Sequence, residues 1–177
     1  MPNILSEFSS RLFLLGAIFL PTLVSGQLPD RDAFAKEDHQ LGQVPVSAFA
    51  IGGEHADKLK IEVWAQSPQI FTPVAMDIDA KGRIWATEGI DYNVGRRISN
   101  GQSIIVLEDT DLDGKCDSSH VFVSEPNMRP APMGIAVFDN RIVVSATPDI
   151  IVYTDVDRNA VFDPKIDKRE VFLTGFE

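Results

Sequence analysis

Four aspartates lie close together in the segment Glu108–Asp117, whose sequence is EDTDLDGKCD. They stand at Asp109, Asp111, Asp113 and Asp117. Left without partners, two such charges about 4 Å apart repel by about 4 kcal/mol at an effective dielectric of about 20. Oxygen donors at positions 1, 3, 5 and 9 of a short loop, with glycine at position 6, are typical of a calcium site. The segment therefore predicts a bound cation.

We define residues 109–117 as the first acidic loop. Gly114 permits the sharp turn, and Lys115 would ligate through its backbone carbonyl. Position 12 is His120 instead of the glutamate of an EF-hand, so the loop is expected between two strands. A ligand set made only of oxygen argues against zinc. Cys116, at position 8, is expected to point outward without ligating. The alternative is a solvated acidic turn that holds no ion.

A second acidic loop, residues 155–163, repeats the pattern. Its oxygen donors are Asp155, Asp157, Asn159 and Asp163. Ala160 replaces the glycine, and its β-carbon resists a left-handed backbone. We expect weaker metal binding at this loop, or none.

The two loops belong to a longer internal repeat. Residues 104–117 align with 150–163 without a gap, at an offset of 150 − 104 = 46. Downstream, Val121 matches Val171 at an offset of 171 − 121 = 50, so we place four extra residues of the second copy near Pro164–Asp167. A unit that recurs at about 45–55 residues is typical of a β-propeller blade. A chance likeness between two β-meanders is the alternative.

The segments between turn residues are short and rich in Val, Ile, Phe and Trp, as β-strands are. They are Ile61–Ala65, Val74–Asp79, Arg83–Glu88, Ser103–Glu108, His120–Ser124, Met133–Phe138, Arg141–Ala146, Asp149–Thr154 and Glu170–Thr174. Tight hairpins are predicted at Asp79–Gly82 and Asp139-Asn140. We predict an all-β fold, a partial β-propeller over 61–177. It has about two four-stranded blades, at about 73–125 and 132–177, and one N-terminal strand.

The N-terminal region predicts export. An apolar run, Leu12–Leu20, follows Arg11, and small residues precede a cleavage position after Gly26. Residues 1–26 are therefore predicted to be a signal peptide, which places the protein in the periplasm or outside the cell. A retained N-terminal anchor is the alternative. Residues 27–60 are expected to form an extended arm, and no transmembrane helix is expected in the mature chain.

Charge and cysteine content limit the partners. The 177 residues carry a formal net charge of −10, which disfavours nucleic acid and anionic membranes and favours cations. Cys116 is the single cysteine, so no intrachain disulfide forms and a metal ion is one way to stabilise an exported fold.

Four segments resemble the opening of the membrane-bound dehydrogenase family: PVAMDIDAKGRIWATEGIDY, IIVLEDTDLDGKCDSSHVFV, MGIAVFDNRIVVSATPDIIVYTDVD and KREVFLTGFE. Its members are exported bacterial proteins with a six-bladed propeller similar to sugar (glucose or sorbosone) dehydrogenases, often followed by a c-type haem domain. The resemblance implies quinone-dependent oxidation of sugars or alcohols, with a quinone such as PQQ bound only by a complete propeller. It covers about 61–177.

No catalytic or cofactor-binding residue can be carried over, because the histidine-rich segment that usually follows LTGF is absent, as is a C-x-x-C-H haem motif. We therefore expect an N-terminal fragment of a calcium-stabilised propeller of this family, inactive by itself. Arg96 and Arg97 could face a substrate channel in a complete propeller, although an ordinary surface loop is the simpler interpretation. The alternatives are a non-enzymatic secreted propeller that serves as a binding or scaffold module and, third, a calcium-binding adhesion module of solenoid type.

Overall fold

The computed structural model describes residues 45–89, 101–125, 128 and 132–175. These residues form two four-stranded antiparallel sheets in which the strand order follows the chain. Sheet 1 consists of β1 (Pro73–Ile78), β2 (Ile84–Glu88), β3 (Gln102–Glu108) and β4 (Ser118–Glu125). Sheet 2 consists of β5 (Gly134–Phe138), β6 (Arg141–Ala146), β7 (Asp149–Thr154) and β8 (Lys168–Thr174). The fold is all-β, and the two unclosed sheets form a partial β-propeller, as predicted.

Burial along the strands explains their composition. In β6 buried and more exposed residues alternate, as expected where one face of a strand is better covered than the other. In β3 every residue from Gln102 to Leu107 is buried. Such a strand is covered on both faces, which accounts for its unbroken apolar run.

One face of each sheet packs against the other sheet and forms the main core. Its buried members are Trp85, Ile104, Val106, Phe122, Val123, Met128, Ile142, Val144, Ala146, Ile151, Tyr153 and Ala160. The Phe122 ring centroid lies 5.0 Å from that of Trp85 and 5.9 Å from that of Tyr153, both in edge-to-face geometry. Such a pair contributes roughly 0.5–1.5 kcal/mol beyond the burial of its area. This core joins the two sheets.

Polar contacts also join the sheets. Arg169 of β8 makes two parallel hydrogen bonds to the carboxylate of Glu125 on β4, at 2.5 and 2.8 Å. The carboxylate of Asp77 on β1 accepts the backbone N–H of Val137 on β5 at 2.7 Å. The sheets are therefore tied at their first strands and at their last.

The opposite face of sheet 1 is covered by the polypeptide that precedes β1. Trp64 and Ala65 pack against a second cluster that includes Ala86, Ile105 and Leu107. An apolar cleft of about 440 Å³ remains between this segment and the sheet. The arm upstream contains two 3-10 turns, Val46–Ala48 and Ala56–Lys58, with no buried residue.

The additional strand expected at Ile61–Ala65 is not found, because these residues have no strand assignment. They lie across the face of sheet 1 and contact it through side chains. The backbone bond of the segment to the sheet region runs from the N–H of Cys116 to the carbonyl of Trp64, 2.8 Å long. A chain packed on a face cannot form the repeated backbone pairing that an edge provides.

Both predicted hairpins are confirmed. The Gly82 N–H donates to the Asp79 carbonyl at 3.0 Å, and Phe138 pairs with Arg141 around the Asp139-Asn140 turn. No helix in the described ranges has the length and apolar character of a membrane span. The predicted signal peptide and the loop with Arg96 and Arg97 lie outside the described residues.

Candidate metal centre

The first acidic loop connects β3 to β4 and brings three carboxylates together. Asp109, Asp111 and Asp117 each place one oxygen within 4.8 Å of the others. Asp113 is not part of this group, and its Oδ1 instead accepts the N–H of Lys115 at 2.9 Å. Three of the four predicted carboxylates thus lie close enough together to share one cation.

The curl of the loop follows from hydrogen bonds to Asp109. Its two carboxylate oxygens accept the N–H groups of Asp113 at 3.1 Å and of Gly114 at 2.8 Å. Gly114 has a φ of 88° and Leu112 a φ of 61°, so positions 4 and 6 are both left-handed. Glycine adopts this conformation at no steric cost, as predicted for position 6.

Asp117 is held by the residue that follows Asp109. Both oxygens of its carboxylate are within reach of the Thr110 hydroxyl, at 2.9 and 2.8 Å, and of the Thr110 N–H, at 3.2 Å. The hydroxyl hydrogen bond is the main cause that lowers the pKa of Asp117 below its usual range. The carboxylate is therefore ionised at neutral pH and available to a cation.

The second acidic loop has the same backbone structure. Asp155 accepts the N–H of Asn159 at 3.2 Å and of Ala160 at 2.9 Å, and the N–H of Val161 donates to Asn159 Oδ1 at 2.6 Å. Arg158 and Ala160 have φ values of 62° and 61°, which match Leu112 and Gly114. Positions 1 to 7 of the first loop therefore have the same geometry in the second copy.

Ala160 adopts the left-handed conformation that its β-carbon was expected to resist. A left-handed alanine costs roughly 1–2 kcal/mol. Its side chain is fully buried against Phe122, Tyr153 and Phe162 in the inter-sheet core, at 0% exposure. Burial of one methyl group returns about 0.8 kcal/mol, which offsets much of the strain.

A third carboxylate joins Asp155 and Asp157 from beyond the second acidic loop, at Asp167, which the sequence did not single out. Asp155, Asp157 and Asp167 bring carboxylate oxygens within 4.8 Å of one another. Asp167 accepts the N–H of Val156 at 2.7 Å, as Asp117 accepts that of Thr110. Asp163 lies outside this group, with its Oδ1 bonded to the Lys165 N–H at 2.9 Å.

The downstream offset of 50 could have located this residue, since 117 + 50 = 167. The gapless alignment matched Asp117 with Asp163 because it placed the four extra residues after the loop. In the structure the four extra residues lie before Asp167, which is the residue that corresponds to Asp117.

The comparisons with known proteins give a family but no activity. The model of one family, described as a domain of unknown function (DUF7133), matches residues 54–177. The chain belongs to the DUF7133 family. Neither the curated proteins nor the solved structures contain a match.

The two loops of this DUF7133 chain differ in burial. Asp155 and Asp167 are 4% and 7% exposed, whereas Asp111 and Asp117 are exposed. Two buried carboxylates side by side are costly unless hydrogen bonds or a cation compensate them. The backbone N–H groups of Val156, Asn159 and Ala160 provide part of this compensation.

Two further residues near the loops make contacts outside the acidic groups. Cys116 is buried at 6% exposure beside Leu107, so the expected outward orientation is wrong; its position packs against the core below the loop. Burial raises the pKa of its thiol, which disfavours the thiolate that a metal requires. His120 Nε2 lies 3.0 Å from the Ala160 carbonyl and so joins β4 of sheet 1 to the second loop.

Proposed function

We propose that this chain is a β-propeller module whose acidic loops are structural calcium sites. The observation that carries the proposal is the convergence of Asp109, Asp111 and Asp117, together with its counterpart at Asp155, Asp157 and Asp167. All donors are carboxylate oxygens, which suit calcium and not zinc or copper.

The position of the loops supports a structural role for the cation. Each loop joins the third and fourth strands of one sheet, so an ion held there would fix the geometry of that strand pair. The ion would also relieve repulsion within a chain of net charge −10. We do not assign a catalytic role to these aspartates.

The resemblance of the sequence to quinone-dependent sugar and alcohol dehydrogenases supports the further proposal that the module belongs to an exported oxidoreductase. On this proposal the chain contributes architecture, and the catalytic and quinone-binding residues are unassigned. The second candidate is a non-enzymatic secreted scaffold. This candidate is favoured because the carboxylates of Asp109 and Asp155 accept hydrogen bonds from the backbone of their own loops.

Calcium binding is tested by thermal unfolding in the presence of calcium, magnesium or a chelator. Calcium at about 100 times its dissociation constant would add about 2.7 kcal/mol and raise Tm by roughly 5–10 °C. Magnesium should act more weakly, because it demands octahedral geometry and dehydrates reluctantly.

A matched pair of variants completes this test. Asp109→Asn combined with Asp155→Asn should abolish the calcium shift, whereas Asp57→Asn, on an exposed turn of the arm, should leave it intact. Equal shifts with both ions, or no shift with either, would contradict the proposal.

The enzymatic assignment is tested by dye reduction with added quinone and a panel of sugars and alcohols. The chain alone should reduce dye no faster than a heat-denatured control, because its described acidic clusters are assigned a structural role and no catalytic residue is assigned. A calcium-dependent rate above that control would show that the chain carries catalytic residues itself. That result would reject the expectation that the chain is inactive by itself.

A further inference from the structure

The second face of sheet 2 contributes no described residue to either buried core cluster. We call it the uncovered face and define it by Val143, Ser145, Ile150, Val152, Phe172 and Leu173. Val143, Ser145, Ile150 and Val152 alternate along β6 and β7 with the core residues Ile142, Val144, Ile151 and Tyr153. Leu173 pairs with Ile150 and so lies on the same face. Phe172 is 74% exposed and Leu173 47% exposed. An aromatic and a branched aliphatic side chain are thus presented together to solvent.

The repeat shows what this face corresponds to in sheet 1. The equivalent residues are Trp85 for Val143 (143 − 85 = 58), Ile104 for Ile150 (46), Val106 for Val152 (46) and Phe122 for Phe172 (50). All four residues of sheet 1 are buried by sheet 2, with exposures of 2%, 0%, 0% and 2%. The uncovered face of sheet 2 therefore corresponds, one repeat later, to the face through which sheet 1 packs on sheet 2.

A β-bulge at the same place in both sheets strengthens this equivalence. The β3–β4 register shifts at Ile104/Ile105 and omits Phe122, and the β7–β8 register shifts at Ile150/Ile151 and omits Phe172. A bulged residue is left out of the ladder. The carbonyl of Phe122 is used instead between the sheets, where it accepts the N–H of Phe162 at 2.9 Å.

The arm repeats this contact on the other side of sheet 1. There the carbonyl of Trp64 accepts the N–H of Cys116 at 2.8 Å. Both donors are the seventh residue after the first aspartate of their acidic loop, since 116 − 109 = 7 and 162 − 155 = 7. The first acidic loop thus donates to the carbonyl of Trp64 in the arm, and the second donates to the carbonyl of Phe122 in sheet 1. Phe172 of sheet 2 is the next aromatic residue in this series.

We infer that the uncovered face binds a third four-stranded sheet of this repeat, whose acidic loop donates a backbone N–H to the carbonyl of Phe172. The inference rests on the proposed propeller function, because the third sheet is another blade. A second copy of the chain is a poorer occupant. Its equivalent surface, on sheet 1, is already covered by its own Trp64 and Ala65.

The experiment extends the chain by one repeat and measures access to the uncovered face. Residues 126–177 are appended after Gly175, the repeat equivalent of Glu125 (175 − 125 = 50). Ser145→Cys places a thiol on the face, and its reaction with a thiol reagent is followed. Native Cys116 is buried and serves as a slow internal reference.

The thiol at position 145 should react at least about tenfold more slowly in the extended chain than in the 177-residue chain, which corresponds to ~1.4 kcal/mol of docking free energy. Adding Phe172→Ala should restore most of the rate. Leu112→Cys, at an 87% exposed position of the first acidic loop, should react equally fast in both chains. An appended segment of scrambled sequence should give no protection.

The inference is overturned if the appended repeat leaves the reaction rate at position 145 unchanged. This holds whether the repeat folds elsewhere or fails to fold. Protection in the unextended chain that grows with protein concentration identifies a second copy as the occupant, which also overturns it. Labelling is performed with calcium and with a chelator. Absence of a calcium shift in Tm would reject the proposed cation sites without deciding the docking.

Discussion

The carboxylate of Asp79 accepts four hydrogen bonds from its own hairpin. The donors are the N–H of Lys81 at 2.9 Å, the N–H and Nε of Arg83 at 3.0 and 2.7 Å, and Nε1 of Trp85 at 2.9 Å. Burial of Asp79 acts to raise its pKa, but the side-chain bonds from Trp85 and Arg83 outweigh it, so the pKa falls below 3.8. One residue thus orients the turn and the largest aromatic side chain of the core.

Replacement of this carboxylate by an amide, Asp79→Asn, is expected to lower the free energy of unfolding by about 2 kcal/mol near pH 7, because several bonds to a charged acceptor are weakened. The folded-state pKa lies below the ordinary value of 3.8. The contribution of the ionised group is therefore complete above pH 3.8 and is lost as the pH falls through the folded-state pKa.

Urea unfolding of the two proteins at a series of pH values measures this difference. The gap between wild type and Asp79→Asn should narrow steadily in the acid range, and Asp57→Asn should show no such gap at neutral pH. A gap of constant size from neutral to acid pH would show that the charge of Asp79 contributes nothing.

At the scale of elements, the eight strands could be predicted from apolar runs between turn residues. β6 and β7 have the predicted bounds, and β8 begins at Lys168 instead of Glu170. The segment Ile61–Ala65 has the same composition but is not a strand. The composition of a segment indicates that its side chains suit a packed, half-buried position. Whether its backbone pairs with a neighbouring strand depends on the surrounding fold.

The acidic loops mark a second limit of sequence reasoning. The positions of Asp109 and Asp155 and the curl around them follow from spacing alone. The third carboxylate of the second group does not, because four extra residues before Asp167 bring that residue, and not Asp163, close to Asp155 and Asp157. Likewise, the strain at Ala160 was predictable, but its compensation depends on side chains of the other sheet.

At the scale of the whole molecule, the two sheets share one core. Trp85 and Phe122 of sheet 1 lie in the same buried cluster as Val144 and Tyr153 of sheet 2. Neither sheet can keep this face buried without the other. The sheets should therefore unfold together, even though they are separate in strand pairing.

This cooperativity can be measured with a substitution in one sheet and a probe in the other. Trp85 lies in the shared core, so it is replaced by phenylalanine in both proteins; the remaining Trp64 packs on the other face of sheet 1 and reports on that sheet, whereas far-ultraviolet circular dichroism reports on both sheets. Val144→Ala, at a fully buried position of β6, should cost about 2 kcal/mol and lower Tm by roughly 5–10 °C. The fluorescence and dichroism midpoints should move together. If the fluorescence midpoint stays unchanged while the dichroism midpoint falls, the two sheets are independent units. That result would also remove the continuous core from which the docking of a third sheet was inferred.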